Sequence, residues 1–404
     1  MEAFYLRLYI TCIFGAEIYK CYGKKYYFYF IKCYCHVLVI KSMSRILLVR
    51  QKDDIEGCHL SIPKGLIRKN EKPIDAAIRE TYEETGLAIQ KYCLRMPYLM
   101  NIESVNYSRR IIYYVVLLFE EPRLCFLDKE EILDCRFYDY QDAEQHLQLS
   151  QLSVLLHLNP KVLSRRYVEW LIMSGYICKE EHYEARMSIL NYTHLCKRKQ
   201  YWDEVTMWCR GLIVDNDNHI LFRPMKKFFE RNQLYHYFVP HGNKHFELYE
   251  KKDGALGILY WLADFPFIAT RGSFTSKQAI IGTSLLYSKY SSEIPKMSKS
   301  YTYFFEIITP RDKHVVDYGE IEDLFLIGAY DNNNLCDVLS HRLADLNFPN
   351  VKHYQQHDHI KDLEKQDMPN EEGYVAYYED GTRVKIKFKS YKNKHIELFN
   401  NIKF

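Results

Sequence analysis

No CxxC pair and no cysteine–histidine cluster at zinc spacing occurs among the twelve cysteines of this 404-residue chain, which excludes the common structural zinc modules. The nearest approach, Cys33 and Cys35, reads as two thiols on one strand rather than as a ligand pair. So many unpaired thiols fit a reducing compartment, and the cytoplasm is the expected location. Long apolar runs are also lacking. A membrane span needs roughly 18 residues, and the greasiest stretch, YYFYFIKCYCHVLVI at 26–40, is interrupted by Lys32 and His36. Glu2 and Arg7 in the opening segment argue against a secretory leader. Net charge is only +3, a balance that neither demands nor excludes a nucleic-acid partner. There is no internal repeat and no low-complexity linker.

What is present is a composition 48% hydrophobic, enough for two or three domains with proper cores. HVLVIK (36–41) and SRILLVRQ (44–51) predict a hairpin, with a helix ending at Gly86 and further strands near 91–118. QDAEQHLQLSQLSVLLHL (141–158) predicts one helix, broken by Asn159 and Pro160. From about 161 the pattern predicts helices to about 190, then strands separated by turn residues, hence antiparallel sheets. The expected limits are an N-terminal extension at 1–32, a first domain at 33–160 and a second at 161–404.

The stretch GLIRKNEKPIDAAIRETYEETGL (65–87) carries the first chemical signal. Pro73 suits the first turn of a helix and Gly86 the position just past its end. Ile74, Ala77, Ile78 and Thr81 fall on one face, while Glu80, Glu83 and Glu84 lie at i, i+3 and i+4. Three carboxylates so close repel one another unless a cation sits among them, and Mg2+ (or Mn2+) is the natural one. Arg79 stands one turn before Glu83 and can orient it. A solvated acidic helix face is the plain alternative. The longer pattern resembles the Nudix box, with Gly65, Glu71, Arg79, Glu80, Glu83, Glu84, Gly86 and Leu87 in register; Thr81 departs, replacing a larger aliphatic residue. The resemblance implies metal-assisted hydrolysis of a nucleoside diphosphate linked to another group. It makes Glu80, Glu83 and Glu84 the metal ligands, Glu83 the residue that deprotonates water, and Lys64 a phosphate contact. Glu130 or Glu131 would add a carboxylate from a loop, with plain surface charge as the alternative for either.

The second signal is FELYEKKDGALG (246–257). Alone, Lys-Asp-Gly is what a hairpin turn produces. In context it resembles motif I of the covalent nucleotidyltransferases, KxDG, which makes Lys251 the nucleophile and carries over Asp253 and Gly254. CRGLIVD (209–215) and RPMKKFFE (223–230) resemble the sequences before motif I in phage-type RNA ligases, carrying over Arg210, Lys227 and Phe229. TRGS (270–273) with Arg271, FFEIITP (304–310) with Glu306, LFLIGAYD (324–331) with Phe325, EEGYVAY (371–377) with Glu372, and VKIKFKSY (384–391) with Lys385 and Lys387 follow in the family's order. The resemblance implies that Lys251 forms lysyl-AMP with ATP and passes the nucleotide to an RNA 5′-phosphate. Glu306 would bind the ribose, Phe325 would stack on the base and Glu372 would assist metal. Lys385, Lys387 and bound metal are expected to keep Lys251 uncharged. The cationic run RVKIKFKSYKNK (383–394) is expected to meet RNA backbone, or to be a solvated edge.

These signals together predict an α+β chain: an N-terminal Nudix α/β/α sandwich followed by a nucleotidyltransferase RNA ligase domain of antiparallel, ATP-grasp-like sheets. The expected partners are RNA ends, ATP and a nucleoside-diphosphate-linked substrate, with Mg2+ (or Mn2+) as cofactor. Two alternatives stand beside this reading: a capping-type guanylyltransferase joined to a decapping hydrolase, and a non-catalytic RNA-binding protein with relic domains.

Overall fold

The computed structural model describes residues 31–41, 45–52, 60–89, 95–103, 108–118, 122–125, 130–231, 233, 245–312, 314–357 and 360–399. Residues 1–30, most of the expected extension, lie outside the described residues. The architecture is mixed helix and sheet, with several antiparallel sheets. Contacts divide it into two units. The first holds the described residues up to Tyr176 with His194–Val205; the second holds Ile177–Thr193 and the described residues within Thr206–Tyr235 and Pro240–Phe404. Among the described residues, no helix is long and apolar enough to cross a membrane.

The first unit is built on one sheet. β1 (Ile31–Lys41) and β2 (Arg45–Gln51) form the expected hairpin, pairing Ile40 with Ile46. β3 (Lys64–Leu66) also pairs with β1, and β4 (Arg95–Glu103), β5 (Ser108–Leu118) and β6 (Ile132–Tyr138) complete the order β4-β5-β1-β2-β6. Only the β1–β5 pairing is parallel. Ile46 to Val49 are all fully buried, so β2 is covered on both faces, as its unbroken apolar run requires. Helix α1 (Pro73–Thr85) covers the sheet, with Ala76 and Ala77 against Leu47, Val116 and Phe137. Its ends are where Pro73 and Gly86 place them: Pro73 opens the first turn, and Gly86 takes the left-handed conformation (φ 69°) while donating its N–H to the Tyr82 carbonyl.

Two expected helical stretches come out differently. The segment 141–158 is not one helix: it turns from Tyr140–His146 through an extended Leu147 into the 3-10 segment Leu149–Val154 and the short helix Leu155–Leu158. Leu147 forms a bridge with Leu60, and Leu60 exchanges backbone bonds with His146 and Gln148. That non-local pairing outweighs local helical preference. After helix α2 (Arg165–Met173), capped by the Ser164 hydroxyl, Gly175 turns left-handed. The residues that follow, read above as helical to about 190, form β7 (Ile177–Glu181) and β8 (Met187–Tyr192).

β7 and β8 continue into β9 (Arg210–Asp215) and β10 (Ile220–Phe222), giving the antiparallel order β10-β9-β8-β7. β11 (Phe229–Glu230) and β12 (Phe246–Lys251) belong to a further sheet. Between them and its remaining strands comes a third sheet: β13 (Ala255–Leu262), β14 (Phe265–Ala269), β15 (Tyr301–Ile308), β16 (Asp323–Asp331) and β17 (Cys336–Leu339). Helix α3 (Lys277–Lys289) packs Leu285 and Leu286 into the core of this sheet with Ile268, Phe305 and Leu324. β18 (His353–His357), β19 (Gly373–Tyr378) and β20 (Arg383–Lys387) then complete the order β11-β20-β19-β12-β18, and helix α4 (Lys389–Phe399) follows.

Candidate active sites

In the first unit α1 and β3 bring the acidic residues together. Arg79 is the hub: Nε and Nη2 grip both oxygens of Glu71 (2.8 and 2.9 Å), while Nη1 donates to Glu80 Oε1 (2.6 Å) and Glu83 Oε2 (2.9 Å). These bonds raise the Arg79 pKa, and Arg79 holds Glu71 below the usual carboxylate value. The three glutamates differ in exposure. Glu84 is buried, its Oε2 accepting the Lys64 N–H at 3.0 Å, whereas the Glu83 side chain is 38% exposed. Burial raises the pKa of both Glu84 and Glu80. Three clustered carboxylates, hard oxygen donors of which Glu84 is buried, fit a divalent cation, which would offset the desolvation of Glu84 and Glu80. Gly65 is part of the fit, since a Cβ there would stand 1.8 Å from the Glu80 carboxyl carbon.

Lys64 turns its ammonium inward, to Ser61 Oγ (2.7 Å) and Gln51 Oε1 (3.1 Å), and burial lowers its pKa. It therefore braces β3 against β2 in this structure rather than projecting toward a phosphate. Glu130 and Glu131 are exposed, and of the two it is Glu131 whose charge reaches Lys64 and Glu84. Thr81, the departure in the helix, is fully buried and returns its hydroxyl to the Ala77 carbonyl (2.8 Å), so no polar group is stranded.

In the second unit strand register decides the site. Lys251 of β12 stands opposite Gly373 of β19, which stands opposite Lys387 of β20. The next row along this sheet face is His353, Tyr249, Val375 and Lys385, and the one after it Glu247, Tyr377 and Arg383. A cavity of about 750 Å³ opens beside this face, lined by Lys251, Arg210, Glu306, Arg271, Glu372 and Lys387 among others. Glu372 is only 3% exposed and lies between two ammonium groups, Lys251 at 2.7 Å and Lys387 at 2.8 Å. Buried in the wall, Arg210 Nη1, Asn191 Oδ1 and Ser340 Oγ have no hydrogen-bond partner. Unsatisfied buried polar atoms of this kind, a donor at Arg210, an acceptor at Asn191 and a hydroxyl at Ser340, point to a polar ligand.

The electrostatics correct one expectation. Burial alone would lower the Lys251 pKa, but the charges of Glu372 and Glu306 and the hydrogen bond to Glu372 outweigh burial and Arg210, so the pKa is raised. The lysine whose pKa is pushed well below its ordinary value is Lys385, by burial and by the charges of Lys227, Arg210, Lys251 and Lys387. Glu306 is pushed up to about 7, chiefly by burial.

A NUDIX domain model matches residues 35–157, and an RNA ligase model matches 208–395. The chain joins a NUDIX domain to an RNA ligase domain. A curated relative, the methanol dehydrogenase activator of Bacillus methanolicus, is 28% identical over 116 residues, covering 28% of this chain and 60% of that protein. The chain thus spans less than two thirds of that relative's length. Among solved structures, a C. elegans Ap4A hydrolase is 17% identical, covering 35% of this chain and 98% of its own (TM-score 0.26). An RNA ligase mutant of Naegleria gruberi, solved with ATP and Mn, is 16% identical, covering 43% of this chain and 58% of its own (TM-score 0.35).

Within the ligase domain the sequence-predicted residues are not all at the cavity. Lys251, Asp253, Gly254, Arg210, Arg271, Glu306, Glu372 and Lys387 line it; Lys227, Lys385 and Phe325 stand off the lining. Lys227 and Lys385 lie over the rings of Phe229 and Phe228, and Phe325 carries the Lys252 ammonium at 4.8 Å. The Asp253 carboxylate is occupied by protein donors, Val315 N, Val316 N and Tyr391 Oη, so it fastens segments of the domain together. Gly254 donates its N–H to Glu306 Oε1 at 2.9 Å. Three of the six cations in the run are paired within the domain: Arg383 with Asp337, Lys387 with Glu372, Lys392 with Glu230. Sequence reasoning missed Asn191, Tyr249 and Tyr391 as lining residues. Asn191 was hidden because its strand was read as helix, whereas Tyr249 could have been found two residues before Lys251, on the same strand face.

Proposed function

We propose that the chain is a two-reaction enzyme. A hydrolase at 33–160 would cleave a nucleoside-diphosphate-linked substrate, and a ligase at 161–404 would join RNA ends with ATP through lysyl-AMP. Supporting the ligase reading is Lys251, held by a buried carboxylate at the edge of a cavity whose wall contains an unpartnered Arg210 nitrogen.

The ligase reaction starts from Lys251. Its raised pKa means that the ammonium must lose a proton before Nζ can attack; burial and the Arg210 charge favour that loss, but Glu372 and Glu306 outweigh them. Freed, Nζ forms a bond to the α-phosphorus of ATP while the bond to pyrophosphate breaks. Arg210 and Lys387, which line the cavity, would stabilise charge on the transferring phosphate. An RNA 5′-phosphate oxygen then takes the adenylate from Lys251, and a 3′-hydroxyl displaces AMP. In the hydrolase unit Glu80, Glu83 and Glu84 would hold the metal and Arg79 keeps the first two oriented. A dication at each acidic site would supply positive charge against the phosphates, acidify water in the hydrolase and offset the Glu372 charge that keeps Lys251 protonated. Cleavage of a diphosphate linkage leaves a monophosphate, the end group a ligase requires, which gives the fusion a chemical rationale.

The test is incubation with ATP or GTP labelled at the α-phosphate, followed by a denaturing gel. A stable label from ATP, absent in Lys251→Ala, supports the reading. Label from GTP alone would establish the capping-type alternative, and no label from either together with no metal-dependent pyrophosphate cleavage would establish the non-catalytic one.

A further inference from the structure

A second cluster of ligand-type side chains lies on the same sheet face as Lys251 but serves neither reaction. Glu247 sits four residues before Lys251 on β12, about 13 Å away at strand spacing. Around its carboxylate stand His341, from the 3-10 turn Ser340–Leu343, and His353, from β18. Glu247 Oε2 is 3.1 Å from His353 Nε2 and 3.6 Å from His341 Nδ1. One donor atom from each residue falls within 4.8 Å of the others. Tyr249 Oη donates to the same Oε2 at 2.5 Å and stands 2.9 Å from His341 Nδ1.

We propose that Glu247, His341 and His353 form a binding site for a first-row transition dication such as Zn2+, beside the nucleotide cavity and distinct from the carboxylate sites of either reaction. Two imidazoles and one carboxylate are a borderline-soft donor set, suited to zinc, manganese or iron rather than to Mg2+, which prefers oxygen alone. The separations of 3.1 and 3.6 Å match those between ligands sharing one ion at bond lengths of about 2.0–2.2 Å. Three elements supply the ligands, so an ion here would tie the 3-10 turn and β18 to β12. Tyr249 Oη touches two of these donor atoms, Glu247 Oε2 and His341 Nδ1, so it can hold the carboxylate in place, and Tyr249 itself lines the cavity. Ser340, next to His341 and also on the cavity wall, has a buried hydroxyl without a partner. The two imidazole rings are stacked 4.5 Å apart with planes 9° from parallel. Loading therefore turns one ring about its terminal torsion, a broad and soft rotation for a half-exposed imidazole.

The experiment loads the full-length chain with ZnCl2, dialyses it against excess Mg2+, and measures bound zinc and its X-ray absorption. The expected result is one retained equivalent whose spectrum carries scattering from two imidazoles, with that equivalent lost in His353→Ala and in Glu247→Gln. Retention of no zinc, equal retention in the variants, or a shell of oxygen alone or of sulfur would overturn the proposal. The wild-type spectrum decides the matter even if a variant fails to fold.

Discussion

At the scale of single residues, neighbouring charge sets two lysines apart, Lys251 on the cavity lining and Lys385 off it. Lys251 and Lys385 lie one strand row apart on one sheet face, yet their pKa values move in opposite directions. Lys251 has Glu372 at 2.7 Å and is raised; Lys385 has burial and four neighbouring cations and is lowered. Lys385 therefore destabilises the apo fold. Between its depressed folded value and about 10.4, where an unfolded lysine titrates, the unfolded chain binds more protons, so stability from this group rises with pH. Lys385→Met should remove that burden. Its melting midpoint at neutral pH should exceed wild type by about 2–4 °C, on the order of 1 kcal/mol, and the gain should shrink as pH approaches 10. Polyphosphate binding should weaken in the same variant. A midpoint difference independent of pH would show that packing against Phe228, rather than charge, is responsible.

At the scale of elements, close approach makes two glycines respond differently to the same substitution. A Cβ on Gly65 meets the far end of the Glu80 side chain, which can swing aside. Gly65→Ala should thus fold with wild-type circular dichroism but push Glu80 from its place beside Arg79, lowering metal-dependent hydrolysis about 100-fold or more. A Cβ on Gly373 meets the Ile386 carbonyl oxygen at 2.0 Å, on backbone with φ 139°. Gly373→Ala should therefore lose soluble expression or its thermal transition altogether. A normal melt for Gly373→Ala, or full hydrolysis by Gly65→Ala, would contradict these assignments. Elements were legible in the sequence where local rules govern. Pro73 and Gly86 marked both ends of α1, and apolar runs marked β1 and β2. They were illegible where distant pairing decides: the Leu60–Leu147 bridge breaks the expected helix at 141–158, and β7 and β8 form because each finds the other and β9. The candidate sites divide the same way. Spacing along one helix or strand grouped Glu80 with Glu84, and motif order gathered Lys251, Glu306 and Glu372. The burial of Glu84 and the bond that Lys251 donates to Glu372, across 121 positions, depend on tertiary packing that no local pattern encodes.

At the scale of the whole molecule, each unit has its own sheets and its own buried cluster: Leu47, Ala77 and Val116 in the first, Ile268, Leu286 and Phe305 in the second. Separate cores imply separable melting, and a ligand stabilises only the unit that binds it. At 100 times its dissociation constant ATP adds about 2.7 kcal/mol, worth roughly 5–10 °C for a unit of this size. Calorimetry should therefore resolve two transitions, with ATP raising the one that belongs to the ligase domain. Function should divide along the same line. Glu83→Gln removes the carboxylate assigned to water and should cut hydrolysis about 10²–10⁴-fold, leaving the ATP-dependent shift and the lysyl adduct unchanged. Lys251→Ala should abolish the adduct and leave hydrolysis intact. If one substitution silenced both reactions, or ATP moved both transitions together, the units would be coupled in catalysis or in folding, and the assignment of one reaction to each core would have to be given up.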